Sequence, residues 1–357
     1  MSTNPARNEL KLGLSLGYWG RGPDPDALEK VRQAEAMGFD SMWTAEAWGS
    51  DALTPLAWYG SQTKTMKLGQ SIMQISARTP AATAMAMQTL QHLSGGRAIC
   101  GLGVSGPQVV EGWYGQPFAK PLARTREYVS IIKQVWERGE PVTSDGPHYP
   151  LPYPADAPGA VGKGKPLRSI THPHPTPIPL YLAAEGAKNL ALAGEVADGW
   201  LPLWMSPDES DWYKAQIEAG MSKVPGKTWE HFGVAASVPT LVLDDLDAAI
   251  DLMRPQLALY IGGMGARDEN YHYEVFARMN GGRYEGYCQK IQDLYLSGHK
   301  QEAVAAVPTQ MVDDICLVGS ADRVRDRAQR WKESIVDTIL IGGSWKSIQA
   351  AGGALLG

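Results

Sequence analysis

The chain has 357 residues and a formal net charge of −5 at pH 7; 44% of its residues are hydrophobic and 20% are charged. This composition excludes global disorder and allows one large core or two ordinary ones. The basic residues form no run that would indicate nucleic acid, and no stretch approaches the roughly 20 apolar residues of a membrane helix. Three separated cysteines and the lack of a secretory signal favour a cytoplasmic protein.

Short apolar runs alternate with amphipathic segments along the chain. The runs predict buried strands, and the periodic segments between them predict helices. The predicted strands are residues 11–18, 40–46, 67–76, 97–103, 177–184, 198–203, 232–243 and 336–343. The predicted helices are residues 25–37, 51–63, 79–93, 120–138, 186–196, 207–224, 246–261 and 320–334.

Two segments interrupt this alternation. Residues 140–178 are rich in proline and predict an irregular loop, whereas residues 265–308 predict a mostly helical insertion rich in tyrosine. Strands that alternate with helices imply a parallel sheet with right-handed crossovers, and eight such units indicate a closed (β/α)8 TIM barrel. We therefore predict one barrel domain over residues 1–357; the alternative is a two-domain doubly wound fold. In a barrel the active site lies at the carboxyl ends of the strands.

Residues 101–106 read GLGVSG, which is a literal G-x-G-x-x-G. In a dinucleotide-binding fold this motif must follow a strand and open a helix, with an acidic residue about 20 positions later ending a second strand. Here Pro107 follows directly and further glycines indicate a loop, while Glu127 lies in a helical pattern. The glycines more plausibly let the end of the fourth strand pack closely against a planar ligand or a neighbouring loop.

Several segments together resemble the luciferase-like monooxygenase superfamily, and within it the coenzyme F420-dependent oxidoreductases. They are GFDSMWTAE, SARTPAATAMAMQTLQHLSGGRAICGLGVSG, GEVADGW and GSADRVRDRAQRWKESIVDTILIG. The resemblance spans most of the chain in order, with weaker zones at the two interruptions. It implies an eight-stranded barrel that binds a flavin or deazaflavin over the strand ends, and family members are often homodimers.

The resemblance also implies which residues bind the cofactor. Strand three would carry a bulge with a non-proline cis peptide at Ser71–Ile72, so that Ser71, Ile72 and Met73 lie behind the ring. Gly103, Ser105 and Gly106 would lie near the ring or its polyol chain. The phosphate would meet backbone N–H groups of Ala183, Ala184, Glu185 and Gly186, where a helix begins. Without the resemblance, a plain buried strand and a plain turn would explain the same residues.

Departures from the family pattern concern the substrate. The Asp-His pair that ends strand two in the sugar-phosphate dehydrogenases is Glu46–Ala47 here, and Ser206 stands near the position of their phosphate-binding lysine. We therefore do not predict a sugar phosphate. The expected pocket wall is mostly apolar and suggests a hydrophobic small molecule: Trp19, Trp48, Val109, Trp113, Leu203 and Trp204.

Glu46 is the first candidate for a proton donor, because it ends strand two among apolar residues, where desolvation favours the neutral acid. Glu111 and Tyr18 are weaker candidates. Glu46 could instead pair with an arginine or bind the edge of the deazaflavin. His92, near a helix end, and the histidines of THPHPTP (171–177) are better explained structurally than as catalytic or metal-binding residues, and no metal site is predicted.

These observations favour an F420-dependent oxidoreductase that transfers a hydride between deazaflavin C5 and a hydrophobic carbonyl, alcohol, imine or enone. Two alternatives stay open, an FMNH2-dependent two-component monooxygenase and a non-catalytic F420-binding protein. The anionic tail of F420 would need cations at the pocket rim, for which Arg78, Lys188 and Arg283 are candidates.

Overall fold

A computed structural model of the protein describes residues 9–264, 267 and 270–357, so part of the predicted 265–308 insertion lies outside the described residues. The strands are β1 (Lys11–Gly17), β2 (Ser41–Thr44), β3 (Lys67–Gln70), β4 (Met73–Gln74), β5 (Ala98–Gly103), β6 (Leu180–Leu182), β7 (Gly199–Trp200), β8 (Gly233–Ser237), β9 (Thr240–Val242), β10 (Leu317–Gly319) and β11 (Thr338–Ile341). The α-helices are α1 (Ala27–Met37), α2 (Leu53–Gly60), α3 (Pro80–Leu93), α4 (Pro107–Gly112), α5 (Pro121–Glu137), α6 (Ala187–Val196), α7 (Ser210–Met221), α8 (Leu246–Gly262), α9 (Tyr271–Gly282), α10 (Glu285–Leu296), α11 (Lys300–Ala305), α12 (Thr309–Ile315), α13 (Ala321–Lys332) and α14 (Trp345–Leu356).

Nine of these strands form one parallel sheet in the order β3-β2-β1-β11-β8-β7-β6-β5-β4. A further pairing of β3 with β5, in which Leu68 lies opposite Ala98, closes the sheet on itself. β3 and β4 are two halves of one interrupted strand, so the barrel has eight strands. The predicted (β/α)8 fold is therefore confirmed. The doubly wound alternative and the dinucleotide-binding interpretation of GLGVSG are wrong.

Alternating side chains divide the core into two layers. In β11, Ile339 and Ile341 pack outward against the helices, whereas Leu340 points into the barrel. There Leu340 meets Trp43 and Leu201, which fill the lumen together with Ile99 and Ala235. This alternation is the period-2 geometry of a strand covered on both faces. A filled lumen leaves ligand binding to the strand ends.

The seventh predicted strand, residues 232–243, is two strands. β8 belongs to the barrel, and β9 leaves it to pair with β10 in a separate two-stranded parallel sheet. Pro239 lies between them and has no N–H for the ladder, so the barrel pairing ends there. A second apolar core forms around β10 and α8–α12, and Trp204 of the barrel is part of it.

Other differences concern short elements. A helix, α4, does begin at Pro107, where the sequence indicated only a loop, and β10, α12 and α14 were not predicted. The region between α5 and β6 is irregular as expected, with isolated antiparallel bridges Val142–Leu167 and Ser144–Leu151. Within the described residues, no helix has the length and apolar character required to cross a membrane.

Candidate active site

The third barrel strand, made of β3 and β4, is interrupted near its carboxyl end. The predicted non-proline cis peptide Ser71–Ile72 lies at this interruption. The Ser71 N–H donates to Thr44 O at 2.7 Å, and Ile72 O accepts from the Glu46 N–H at 3.3 Å. These bonds hold the interruption against the end of β2. The strand then resumes with β4, in which Met73 lies opposite Leu102.

The glycines of GLGVSG make room for this interruption. A Cβ on Gly101 would lie 1.7 Å from Gln70 O, and a Cβ on Gly103 would lie 2.6 Å from Ile72 Cδ1. Gly101 therefore admits a neighbouring backbone, and Gly103 admits the Ile72 side chain. These glycines shape the strand ends through protein packing. Ser105, in the same motif, has a left-handed φ of 60°.

Three polar side-chain atoms around the interruption have no hydrogen-bond partner among the described residues: Gln70 Nε2, Gln74 Oε1 and Ser76 Oγ. Gln70 and Gln74 are 0% and 3% exposed, so water does not solvate these side chains freely. Buried donors and acceptors normally find partners. Together they fit a planar ligand with polar edges, as a flavin or deazaflavin ring has.

Glu46, the first predicted proton donor, has a fully occupied carboxylate. Arg78 donates to Oε1 at 2.7 Å and to Oε2 at 2.9 Å. Backbone N–H groups of Gln74 and Ala52 add bonds of 2.8 and 3.1 Å. The structure thus shows the arginine pairing that the sequence left open, and it commits Arg78, which we had considered for the cofactor tail, to this pair.

The loop from Ala183 to Gly186 follows β6, which is separated from β4 only by β5. The Ala183 N–H donates to Leu102 O at 2.9 Å, and Trp200 Nε1 donates to Ala184 O at 2.8 Å, which fixes the loop. Gly186 begins α6 without any side-chain cap, and a Cβ built on it has no atom within 4 Å. An uncapped helix start facing open space suits a phosphate.

Glu185 turns away from this helix start toward the insertion. Its Oε1 lies 2.9 Å from Nδ1 of His272 in α9, and the two side chains are 17% and 22% exposed. Nδ1 forms no hydrogen bond in this ring orientation. At this distance a rotation of the imidazole ring would align an N–H···O bond. The contact leaves the loop's backbone N–H groups clear of the carboxylate.

Three further side chains surround this contact. The Tyr260 ring lies edge-on to His272 at 4.9 Å and to Trp204 at 5.1 Å. Burial raises the pKa of Tyr260, and the nearby Tyr18 and Glu185 raise it further. Tyr18, predicted as a weak catalytic candidate, therefore lies close to Tyr260. Trp204 is 2% exposed and packs in the second core, so it supports the pocket wall from behind.

The remaining predicted residues are more dispersed. Trp48 and Trp113 are 60% and 62% exposed, and Tyr114 beside Trp113 donates from its hydroxyl to Ala47 O at 3.1 Å. This bond, which no sequence signal indicated, ties α4 to the end of β2. Glu111 is exposed and accepts from the Phe118 N–H at 3.3 Å. Val109 and Leu203 are half-buried.

Two concave surfaces contain residues that the sequence analysis singled out. A cavity of about 230 Å³ near the interruption contains Arg78, Arg124 and Tyr149, and sequence reasoning missed the last two because no motif marks them. Trp19 lines instead an apolar groove of about 1030 Å³ across α1–α3, where Trp58 and Leu93 are 66% and 79% exposed. Trp19 is therefore set apart from Trp204.

His92 has the structural role expected of it. Its Nε2 lies 3.0 Å from His172 O, and its ring meets His174 edge-on at 5.4 Å, so it holds the proline-rich loop against the end of α3. Of the cations considered for the cofactor tail, Lys188 and Arg283 are exposed. In the part of the chain that the structure describes, no three His, Cys, Asp or Glu side chains are grouped to hold a metal.

Comparison with known proteins agrees with this geometry. Residues 20–338 match the family of luciferase-like monooxygenases. A Mycobacterium tuberculosis protein whose name places it among the coenzyme F420-dependent oxidoreductases is 51% identical over 334 residues, covering 93% of this chain and 94% of the relative. The fold is similar to that of the F420-dependent tetrahydromethanopterin reductase from Methanopyrus kandleri (TM-score 0.78, 23% identity, 98% and 99% coverage). It is also similar to that of an F420-dependent secondary alcohol dehydrogenase in complex with an F420-acetone adduct (TM-score 0.72, 19% identity, 96% and 99% coverage). The chain therefore belongs to the luciferase-like monooxygenase family, in the branch of the coenzyme F420-dependent oxidoreductases.

Proposed function

We propose that this protein binds coenzyme F420 and transfers a hydride between deazaflavin C5 and a hydrophobic carbonyl or alcohol, with imines and enones as related substrates. The observation that carries the proposal is the interrupted third strand with its unpartnered polar atoms, two strands away from an uncapped helix start. One element suits a planar ring and the other a phosphate. The F420-dependent relatives agree with this pairing.

The residues of the chain have distinct tasks in this proposal. Ile72 and Gly103 would lie behind the ring, Gln74 Oε1 would accept from its edge, and the start of α6 would hold the phosphate. When bound, F420 supplies or accepts the hydride at C5. Trp48 and Trp113, which are exposed in the structure, would cover the substrate and exclude water.

A fluorescence titration with F420, and separately with FMN, tests the cofactor. We expect micromolar or tighter binding of F420 and at least about tenfold weaker binding of FMN. The reverse preference would favour an FMNH2-dependent monooxygenase. Binding of F420 without turnover of any carbonyl or alcohol would favour a non-catalytic F420-binding protein.

A charge placed at the start of α6 tests the phosphate site. Gly186 has φ −80° and ψ 153°, which any residue adopts, and a side chain there meets no atom within 4 Å. Gly186→Glu should weaken F420 binding by about tenfold or more, because a carboxylate repels the phosphate. Gly186→Gln has the same shape without the charge and should bind F420 within about threefold of the wild type. Equal affinities for the two variants would contradict this phosphate site.

A homodimer stays a prediction. The apolar groove across α1–α3, with its exposed Trp58 and Leu93, is a surface that a second copy could cover. Sedimentation velocity at micromolar concentration measures the oligomeric state, and a monomer there would contradict the prediction.

A further inference from the structure

The proposed hydride transfer needs a group that exchanges a proton with the substrate oxygen, and Glu46 is poorly suited to this task. Its carboxylate already accepts four hydrogen bonds, two of them from Arg78. These bonds occupy both carboxylate oxygens, two bonds on each. The donor must come from elsewhere on the strand-end face.

We propose that Glu185 and His272 form an acid–base pair, in which His272 Nε2 exchanges a proton with the substrate oxygen and Glu185 holds the ring from Nδ1. This assignment rests on the proposed function and deepens it, because it names the proton donor and assigns it to the insertion. His272 would be the catalytic residue of the pair and Glu185 the positioning residue.

The geometry supports these roles. The 2.9 Å contact between Glu185 Oε1 and Nδ1 uses the ring nitrogen that a carboxylate occupies in many catalytic histidines, and it directs the other nitrogen away. Nε2 is not among the buried atoms without a partner, and the His272 side chain is 22% exposed. Within residues 9–264, 267 and 270–357, no hydrogen bond occupies Nε2. It is therefore free to bond to a ligand.

The position of Glu185 and His272 in the fold also supports these roles. Glu185 lies in the proposed phosphate loop, and Tyr260 joins His272 to Trp204 behind the predicted substrate wall. The pair thus joins the loop proposed for the phosphate to the residues that pack behind the predicted substrate wall. This position follows from the folding of α8 and α9 over the barrel.

Other titratable groups lie around the ring. His272 lies in the first turn of α9, and Glu185 lies beside it. Tyr260 from α8 contacts the ring edge, and Tyr18 after β1 lies near Tyr260. Further along α9, Arg278 pairs with Glu209 of the segment before α7 at 3.4 Å. Glu185 is the acidic side chain in direct contact with the ring.

The proton balance is closed. In carbonyl reduction the substrate carbon gains the hydride that the reduced deazaflavin supplies, and the π electron pair of the C=O bond moves to oxygen. The oxygen takes the proton from Nε2, which leaves a neutral imidazole that solvent reprotonates. In alcohol oxidation the neutral Nε2 accepts the hydroxyl proton as the hydride leaves carbon.

Three variants of the full chain test the pair. His272→Gln removes the proton donor, Glu185→Gln removes the charge that holds it, and His299→Gln is the matched control. His299 also stands at a helix start in the insertion, and among the described residues its side chain hydrogen-bonds to the Ser297 hydroxyl, at 3.1 Å. The readouts are F420 affinity by fluorescence, the imidazole tautomer by ¹⁵N NMR without cofactor, and the pH profile of cyclohexanone and benzaldehyde reduction by reduced F420.

We expect His272→Gln to lower kcat by about 100-fold or more while the F420 Kd changes by less than about threefold. In the wild type, the neutral ring of His272 should carry its proton on Nδ1, and Glu185→Gln should weaken that preference. The pH profile of reduction should differ between the wild type and His272→Gln. His299→Gln should match the wild type in every readout.

Full activity and an unchanged pH profile in His272→Gln would overturn the assignment, as would a neutral His272 ring protonated on Nε2 or a lack of wild-type turnover with both carbonyls. Each of these results leaves F420 binding intact, so the cofactor part of the proposed function would survive. Failure of the wild type to bind F420 would instead reject the proposed function itself. The two failures are therefore distinguishable.

Discussion

The two ends of the barrel differ in how completely their polar groups are hydrogen-bonded. Where the strands begin, Arg97 donates to oxygen atoms of Gly60, Thr63 and Met66 at 2.6 to 3.2 Å. Nearby, the Glu35 carboxylate accepts from three consecutive backbone N–H groups, those of residues 64–66. These two side chains fasten the loops that lead into β3 and β5.

Where the strands end, several buried polar atoms lack such bonds. Among the described residues, Gln70 Nε2, Gln74 Oε1 and Ser76 Oγ are such atoms. Unpaired buried polar groups destabilise a fold, so their grouping on one face needs a compensating role. The comparison teaches that the polar groups of the first end stabilise the barrel, whereas those of the second end are the ones that our proposal assigns to a ligand.

Glu46 is an exception to this difference. Its carboxylate accepts four hydrogen bonds although it lies where the strands end. Its side chain is 2% exposed and that of Arg78 is 20% exposed. Glu46→Gln should lower the free energy of unfolding by about 3 kcal/mol, since it leaves Arg78 without its buried partner. Urea unfolding measures the loss. The double variant with Arg78→Met should lose less than the sum of the single variants, with a coupling of about 1 to 3 kcal/mol. A Glu46→Gln protein of normal stability without turnover would restore Glu46 as the proton donor.

Gly103 tests the ligand-binding end with a smaller expected effect. Gly103→Ala places a methyl group where Ile72 Cδ1 now lies, so Ile72 must move. We expect a loss of about 1 to 2 kcal/mol in unfolding free energy and about tenfold weaker F420 binding. Gly112→Ala, where an added Cβ has no neighbour within 4 Å, is the control and should change neither quantity appreciably. Unchanged F420 affinity in Gly103→Ala would remove Ile72 from the ring site.

Glu35 tests the other end of the barrel, and its expected effect is confined to the free energy of unfolding. Burial pulls the pKa of Glu35 up, but the N–H groups of residues 64–66 and the Thr65 hydroxyl outweigh it and lower the pKa to about 2. The folded-state pKa lies below the unfolded one, so the charge stabilises the fold above pH 4.5 and this contribution is lost as the pH falls toward 2. Glu35→Gln should cost about 1 to 2 kcal/mol at pH 7 after solvent screening, and almost nothing near pH 2.

Urea unfolding of the wild type and Glu35→Gln across this pH range measures the difference directly. A difference that does not depend on pH would show that the loops are held without the charge. F420 affinity at pH 7 should be the same in both proteins, because the loops before β3 and β5 lie at the far end of the barrel from the proposed site.

Local pattern explains why so much of the barrel was predictable. The strand at 336–343 is a short apolar run, and its buried β11 core at 338–341 follows from that run alone. Thr79 and Pro80 mark the start of α3, where the Thr79 side chain accepts from the Ala82 N–H. The cis peptide at Ser71–Ile72 was predicted only through the resemblance, because no physical rule for isolated sequence indicates a cis bond before isoleucine.

The amino-acid sequence by itself determined the alternation of strands and helices, the number of barrel strands and the family. These depend on periodicity, capping and motif order within short segments. Tertiary structure alone decided which charges meet: Glu46 with Arg78, Glu185 with His272 and Glu35 with the 64–66 loop. Such contacts join residues far apart in the chain, and the closing of the barrel and the packing of α9 bring them together. Hydrogen-bond saturation of a carboxylate depends on that three-dimensional packing, and so does its role.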